Sequence, residues 1–253
     1  MAARRRASLL TSVLVFAALI GGAAAEDRIE LQPRPQVTEA MQLTLGERAS
    51  ATLLLLPGGG GNLSVLRSNF LVRSRNRFAA AGFNVALLDA PSDRSSGMNA
   101  YFRASAEHAQ DLGAAVRYLK EKAGVPVWLV GTSMGSVSAA NAGIRLGPAE
   151  VAGVVLSSTV WSGGISLVPL GDLQVPVLLV HNRNDACPSA PFVGAGAGMD
   201  LLSHAPAKEL IAVASTESRD RPCEGLSPHG YLGVEESVVT AIADWIKSKT
   251  PHR

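Results

Sequence analysis

Val127-Trp128-Leu129-Val130-Gly131-Thr132-Ser133-Met134-Gly135-Ser136 is the stretch whose reading decides the fold of this chain. Pro126 leads into a short apolar run rich in Val and Leu, the composition of a buried strand. Ser133 follows between two glycines, and Ser136 to Ala142 continues in small residues that read as a helix. Gly131-x-Ser133-x-Gly135 has the form of a nucleophile elbow. The spacing has a steric cause, because side chains on either flank of so sharp a turn would collide with the adjoining strand and helix. Such a turn exposes the Ser133 hydroxyl at the carboxyl end of a sheet and aims the Met134 N–H, at a helix N-terminus, toward a substrate oxygen. A tight strand-to-helix turn without chemistry can use the same pattern, so the partners of the serine decide the matter.

Residues 1–25 stand apart from the rest. Arg4-Arg5-Arg6 is a basic start, Leu9 to Ile20 is an apolar run short for a bilayer, and Ala23-Ala24-Ala25 offers a cleavage site before Glu26. This is the pattern of a secretory signal peptide, and it predicts export to the periplasm or the exterior. The residue directly after the cleavage point is Glu26 and not a cysteine, so a lipoprotein is not expected, and no later stretch is apolar enough to span a membrane. The remaining 26–253 suit a single α/β domain. Removing Arg4, Arg5 and Arg6 leaves 20 of the 23 basic residues against 21 acidic ones. A near-neutral balance argues against nucleic acid or an anionic membrane as a partner and leaves a small molecule. Oligomeric state is not legible. Cys187 and Cys223, an even pair in an exported chain, read as a disulfide, and neither has metal-ligand spacing around it.

Outward from the elbow, strand and helix patterns alternate. Arg28–Leu31 and Ala40–Leu45 read as edge strands, with Pro33 and Pro35 breaking the first. Ala51–Leu56 is a strand buried on both faces, and it ends in Pro57-Gly58-Gly59-Gly60-Gly61. Four glycines exceed the needs of a turn and let backbone N–H groups approach a ligand closely. With Met134 they read as an oxyanion hole, the second donor being Gly59 or Gly60. A phosphate loop would need a Gly-Lys-Ser/Thr ending, which is missing. Val65–Ala81 reads as a helix whose arginines form a solvated face, Asn84–Leu88 as a strand, and Tyr101–Ala123 as one helix. Strands at Val151–Leu156, Val177–Val180 and Leu210–Val213 follow, with a weak helix at Met199–Ser203 and a closing helix over Val234–Lys247. The alternation predicts a doubly wound, mostly parallel sheet with helices on both faces. Ser157–Gln174 is too short for a large lid, and Trp161 is a candidate to line the open site.

A serine hydroxyl needs a base to take its proton and a carboxylate to orient that base, in the order Ser…Asp/Glu…His on this kind of sheet. Asp185 follows a buried strand directly. His229 follows the last strand and precedes the terminal helix. His204 is the runner-up, while His108 precedes the serine, His181 precedes the acid and His252 lies in the tail.

Gly131-Thr132-Ser133-Met134-Gly135, Asp185 within His-x-x-x-Asp-x-x-Pro, and His229-Gly230 together resemble the α/β-hydrolase superfamily, in its small, nearly lidless esterase or dienelactone-hydrolase-like form. The resemblance covers the whole of 26–253. It implies the α/β-hydrolase fold, Ser133 as nucleophile, His229 as general base and then acid, Asp185 as orienting acid, and oxyanion donors from Gly59 and Met134, with no metal or organic cofactor. It departs from many members in carrying Pro57-Gly58 where they carry His-Gly. With these roles, a Cys187–Cys223 bridge would staple the acid loop to the histidine loop. The predicted activity is hydrolysis of a small-molecule carboxylic ester through an acyl-enzyme. A peptidase or acyltransferase on the same triad, or a non-catalytic binding protein on this fold, are the alternatives.

Overall fold

The computed structural model describes residues 26–250, so the signal-peptide reading and His252 lie outside the described residues. Eight strands form one sheet in the order β1-β2-β4-β3-β5-β6-β7-β8. They are β1 (Glu26–Arg34), β2 (Val37–Thr44), β3 (Thr52–Leu56), β4 (Asn84–Leu88), β5 (Val127–Thr132), β6 (Gly153–Ser157), β7 (Val177–Asn182) and β8 (Lys208–Val213). The six strands β3 to β8 are parallel, and β1 and β2 join antiparallel beside β4.

The continuous apolar runs follow from coverage of both faces. Within β3, Leu54 and Leu56 pack toward α3 (Ala106–Ala123) and α4 (Gly135–Leu146) with Leu112, Val116 and Val137. Leu53 and Leu55 pack the other way, toward α1 (Phe70–Ala80) and α6 (Glu235–Lys249), with Phe70, Phe78 and Ile246. Period-2 alternation in a strand apolar on both sides gives no polar face to read. Trp128 of β5 meets Trp245 of α6 edge to face, with centroids 5.6 Å apart.

Several predicted boundaries are corrected. Of the two strands read as edges only β1 is one, because β2 pairs with β4 as well as β1, and Pro33 sits in a bulge of β1 rather than ending it. Helix α1 begins at Phe70, not Val65. Asn62 Oδ1 takes the amide and hydroxyl of Ser64 in a local turn, and Asn69 then caps α1 by accepting the Leu71 N–H. The stretch predicted as one helix from Tyr101 is two, α2 (Ala100–Arg103) and α3. Ser105 caps α3, and Asn141 Nδ2 donates to the carbonyls of Arg103 and Ser105 at the break. The helix before β8 is α5 (Phe192–Leu201), longer than foreseen, and Trp161 packs on its glycine face at Gly194 and Gly198. Among the described residues no helix is long and apolar enough to cross a membrane, and no group of acidic, His and Cys residues is placed to hold a metal ion.

Candidate active site

The loops at the carboxyl ends of β3, β5, β6 and β7 meet at one edge of the sheet, where open α/β sheets bind ligands. The elbow sits in the middle. A Cβ on Gly135 would lie 1.9 Å from the Leu56 carbonyl oxygen, and one on Gly131 would lie 2.3 Å from that of Gly135. Only glycine lets β5 turn into α4 against β3. Ser133 itself is held at φ 53°, a left-handed conformation unusual for a residue with a side chain, and its N–H is tied to the Ser157 carbonyl at 2.9 Å.

Three of the residues singled out in the sequence come together. Ser133 Oγ lies 3.0 Å from His229 Nε2, and His229 Nδ1 lies 2.8 Å from Asp185 Oδ2, although Ser133 and His229 stand 96 residues apart. With Nδ1–H donated to the carboxylate, Nε2 is left as acceptor for the serine hydroxyl. Asp185 Oδ1 accepts the Cys187 N–H at 2.9 Å, and His181 Nε2 approaches Oδ2 at 3.3 Å. Burial tends to raise the Asp185 pKa, but the hydrogen bonds from His181 and His229 outweigh it, and the net direction is downward. Asp185 is therefore ionised at neutral pH, as an orienting carboxylate must be. His204 is elsewhere, bonding the Gly171 carbonyl at the surface, and His108 is buried beside Ser138. Cys187 and Cys223 are joined in a disulfide.

Gly59 lines a groove with Ser133, His229, Leu66, Asn69 and Glu224, of about 70 Å³. The N–H groups of Gly59 and Met134 have no acceptor among the described residues. Gly60 does not line the groove; a Cβ there would meet Gly97 Cα at 3.0 Å, and its carbonyl accepts from Met98 N–H.

Sequence reasoning did not find the supports of the histidine loop. Ser158, at φ 44°, donates from Oγ to the His229 carbonyl at 2.7 Å, and the Tyr231 hydroxyl accepts the Ser158 N–H and donates to the Val180 carbonyl. Arg73, read as part of a solvated face, is drawn inward and donates to the carbonyls of Gly225 and Gly230 while pairing with Glu235. His229-Gly230-Tyr231 was a visible signal for the tyrosine; no local pattern marks Arg73 among its neighbouring arginines.

A family model described as serine aminopeptidase, S33, matches residues 48–208. No curated protein matches the chain. Among solved structures, a dienelactone hydrolase from Anabaena variabilis superposes with a TM-score of 0.67 at 17% identity, over 90% of this chain and 100% of its own. An esterase from Pyrococcus furiosus gives 0.67 at 14% identity, over 90% and 92%. A member of the α/β serine hydrolases without a lid, from Xanthomonas campestris, gives 0.66 at 14% identity, over 90% and 96%. These likenesses carry the fold, the family model covers well over half of the chain, and the chain accordingly belongs to the serine aminopeptidase, S33, family, on the α/β-hydrolase fold.

Proposed function

We propose that this chain is an exported carboxylic ester hydrolase in which Ser133 is the nucleophile, His229 the general base and then acid, and Asp185 the orienting carboxylate. The observation that carries the reading is the relay from Ser133 Oγ through both ring nitrogens of His229 to Asp185, at 3.0 and 2.8 Å, beside the groove. Ser133 Oγ attacks the ester carbonyl carbon as its proton passes to His229 Nε2. The N–H groups of Gly59 and Met134 take the oxyanion of the tetrahedral intermediate. Collapse expels the alcohol, which leaves with the proton from Nε2, and an acyl-Ser133 remains. Water then attacks that acyl group, giving a proton to Nε2, and collapse breaks the bond to Ser133 Oγ, which takes that proton back as the acid departs. None of these steps calls for a metal or an organic cofactor.

The groove, at about 70 Å³, is far below the several hundred Å³ of pockets for drug-sized ligands, so it suits a short acyl group. Nitrophenyl esters of graded chain length test this. We expect kcat/KM to be highest for acetate and to fall at least about tenfold by octanoate. A series that rises with chain length would contradict it.

The family's description favours a second reading, an aminopeptidase, and Glu224 at the groove is a carboxylate that a free substrate ammonium would need. Aminoacyl nitroanilides in the same assay separate the two. Export rests on the basic start, apolar run and Ala23-Ala24-Ala25 of residues 1–25, with 26–253 as one mature domain. An exported protein whose N-terminal sequencing begins at Glu26 is the expected result.

A further inference from the structure

Beneath the glycine-rich loop lies a buried cation that the mechanism above does not use. Arg103, the last residue of α2, is 1% exposed. Its described partners are all neutral. Nη1 donates to Ser138 Oγ at 2.7 Å, and Nη2 donates to the carbonyls of Pro57 and Gly59, both at 3.1 Å. Nε is buried without a partner among the described residues, as is His108 Nδ1. Both residues line a cavity of about 10 Å³, together with Pro57, Gly61, Ser138 and Asp89, whose Oδ1 accepts from the Leu63 and Ala90 N–H groups and which makes no described ion pair with Arg103. Burial lowers the guanidinium pKa to about 10, so the group is still cationic at neutral pH. His108 is neutral, burial and then the Arg103 charge pushing its pKa down to about 3. Ser138 therefore accepts from Arg103 and donates to His108 Nε2, 2.9 Å away.

An unpaired buried guanidinium is costly, and its position accounts for that cost. Four consecutive glycines have more backbone freedom than any other tetrapeptide, yet an oxyanion donor must point one way before the substrate arrives. The carbonyls of Pro57 and Gly59 are fixed by Arg103, and the Gly58 carbonyl between them accepts the Gly61 N–H at 3.1 Å. In a trans peptide the N–H lies opposite the C=O. Pinning the Gly58 oxygen thus sets the direction of the Gly59 N–H, and pinning its two neighbours stops that peptide from rotating. Gly61 allows the guanidinium to sit this close, since a Cβ there would meet Arg103 Nη2 at 3.0 Å.

We propose that Arg103 is a positioning residue for the oxyanion hole: it clamps the Pro57 and Gly59 carbonyls from below, fixes the Gly59 N–H toward the groove, and places a buried positive charge behind the developing oxyanion. This rests on the reading of Gly59 and Ser133 given above. The field of a cation in a low-dielectric interior favours the oxyanion over the neutral ester, so the effect falls on the transition state.

The test uses Arg103→Met and Arg103→Lys in the purified protein, with two readouts. Amide hydrogen exchange follows Gly61 and Met98, whose N–H groups bond the Gly58 and Gly60 carbonyls. Steady-state kinetics on nitrophenyl acetate follows kcat and KM separately. The clamp predicts that Arg103→Met speeds exchange at both amides about tenfold or more and lowers kcat about 100-fold with KM within about twofold, the pattern of a lost transition-state interaction. Arg103→Lys, which keeps the charge and can still donate to one or two of the carbonyls, recovers most of kcat. Should Arg103→Met fail to fold, Ser138→Ala, which removes the Nη1 acceptor and the His108 hydrogen bond but leaves both carbonyl contacts of Nη2, shows the same changes in smaller measure. Exchange and kcat both at wild-type values in a folded Arg103→Met protein, or an Arg103→Lys protein as slow as Arg103→Met, would overturn the proposal. A wild-type protein that turns over no ester would overturn the ester-hydrolase reading instead, and the exchange data would still decide whether Arg103 braces the loop.

Discussion

The backbone N–H of Cys187 donates to Asp185 Oδ1 at 2.9 Å, so the cysteine that orients the carboxylate is also one end of the bridge to Cys223. Cys223 lines the groove and lies six residues before His229. The bridge therefore links the acid loop directly to the segment that leads into the histidine. Its ends are 36 residues apart in sequence, and closing a loop of that length contributes about 4 kcal/mol on a chain-entropy basis. Cys187→Ser/Cys223→Ser should lower stability by up to that amount in denaturant titration and lower kcat more than it raises KM. Unchanged stability and kcat would show that the two loops hold their places without it.

Gly58 stands against Ser133, the proposed nucleophile. A Cβ there would come within 2.7 Å of Ser133 Cβ and 3.3 Å of Ser133 Oγ. Gly58→Ala should therefore displace the hydroxyl, costing about 100-fold in kcat while destabilising the fold by about 1–3 kcal/mol. Kinetics beside thermal unfolding separates the two effects.

The left-handed backbone of Ser133 carries strain, which glycine would relieve. Ser133→Gly should unfold at a higher denaturant concentration than wild type, by about 1 kcal/mol, and be inactive. Ser133→Ala, which keeps a Cβ at the same φ, should gain nothing in stability. Equal stability of the two variants would show that the turn is unstrained.

Much of this arrangement was legible from the chain because the candidate residues fall at strand ends. The strand, glycine and serine of Val127–Gly135, Asp185 after β7, and His229 before α6 are each local patterns, and the fold needs only their order. Legibility failed where a residue acts on a partner far away in sequence. Arg103 reaches Pro57 across 46 residues and Arg73 reaches Gly230 across 157, and neither differs locally from a surface arginine. Boundaries failed where short polar side chains compete with helix, as at Asn62, Asn69 and Ser105. Of the two glycines read as donors, only Gly59 lines the groove, because the turn closed by Gly61 N–H on the Gly58 carbonyl directs Gly60 toward Gly97.

Glu39 of β2 is buried, and neither carboxyl oxygen has a partner among the described residues. Burial, and then the nearby charge of Asp111, raise its pKa well above the ordinary value of 4.5. For a folded-state pKa above the unfolded one, the folded chain holds the proton longer. Stability from this group is complete below about pH 4.5 and is lost as pH rises toward the folded value. Glu39→Gln, which cannot ionise, should match wild type near pH 4 and unfold at a higher temperature near pH 8. A variant less stable than wild type at the higher pH would show that Glu39 is usefully ionised.

The central claim is that Ser133 is an activated nucleophile with His229 as its base. Incubating the protein with a fluorophosphonate and mapping the labelled peptide tests it most directly. The account predicts a single adduct on Ser133, lost in Ser133→Ala and reduced by about 10³-fold or more in rate in His229→Ala. A folded wild-type protein that takes no label, or one labelled at a serine other than Ser133, would contradict it.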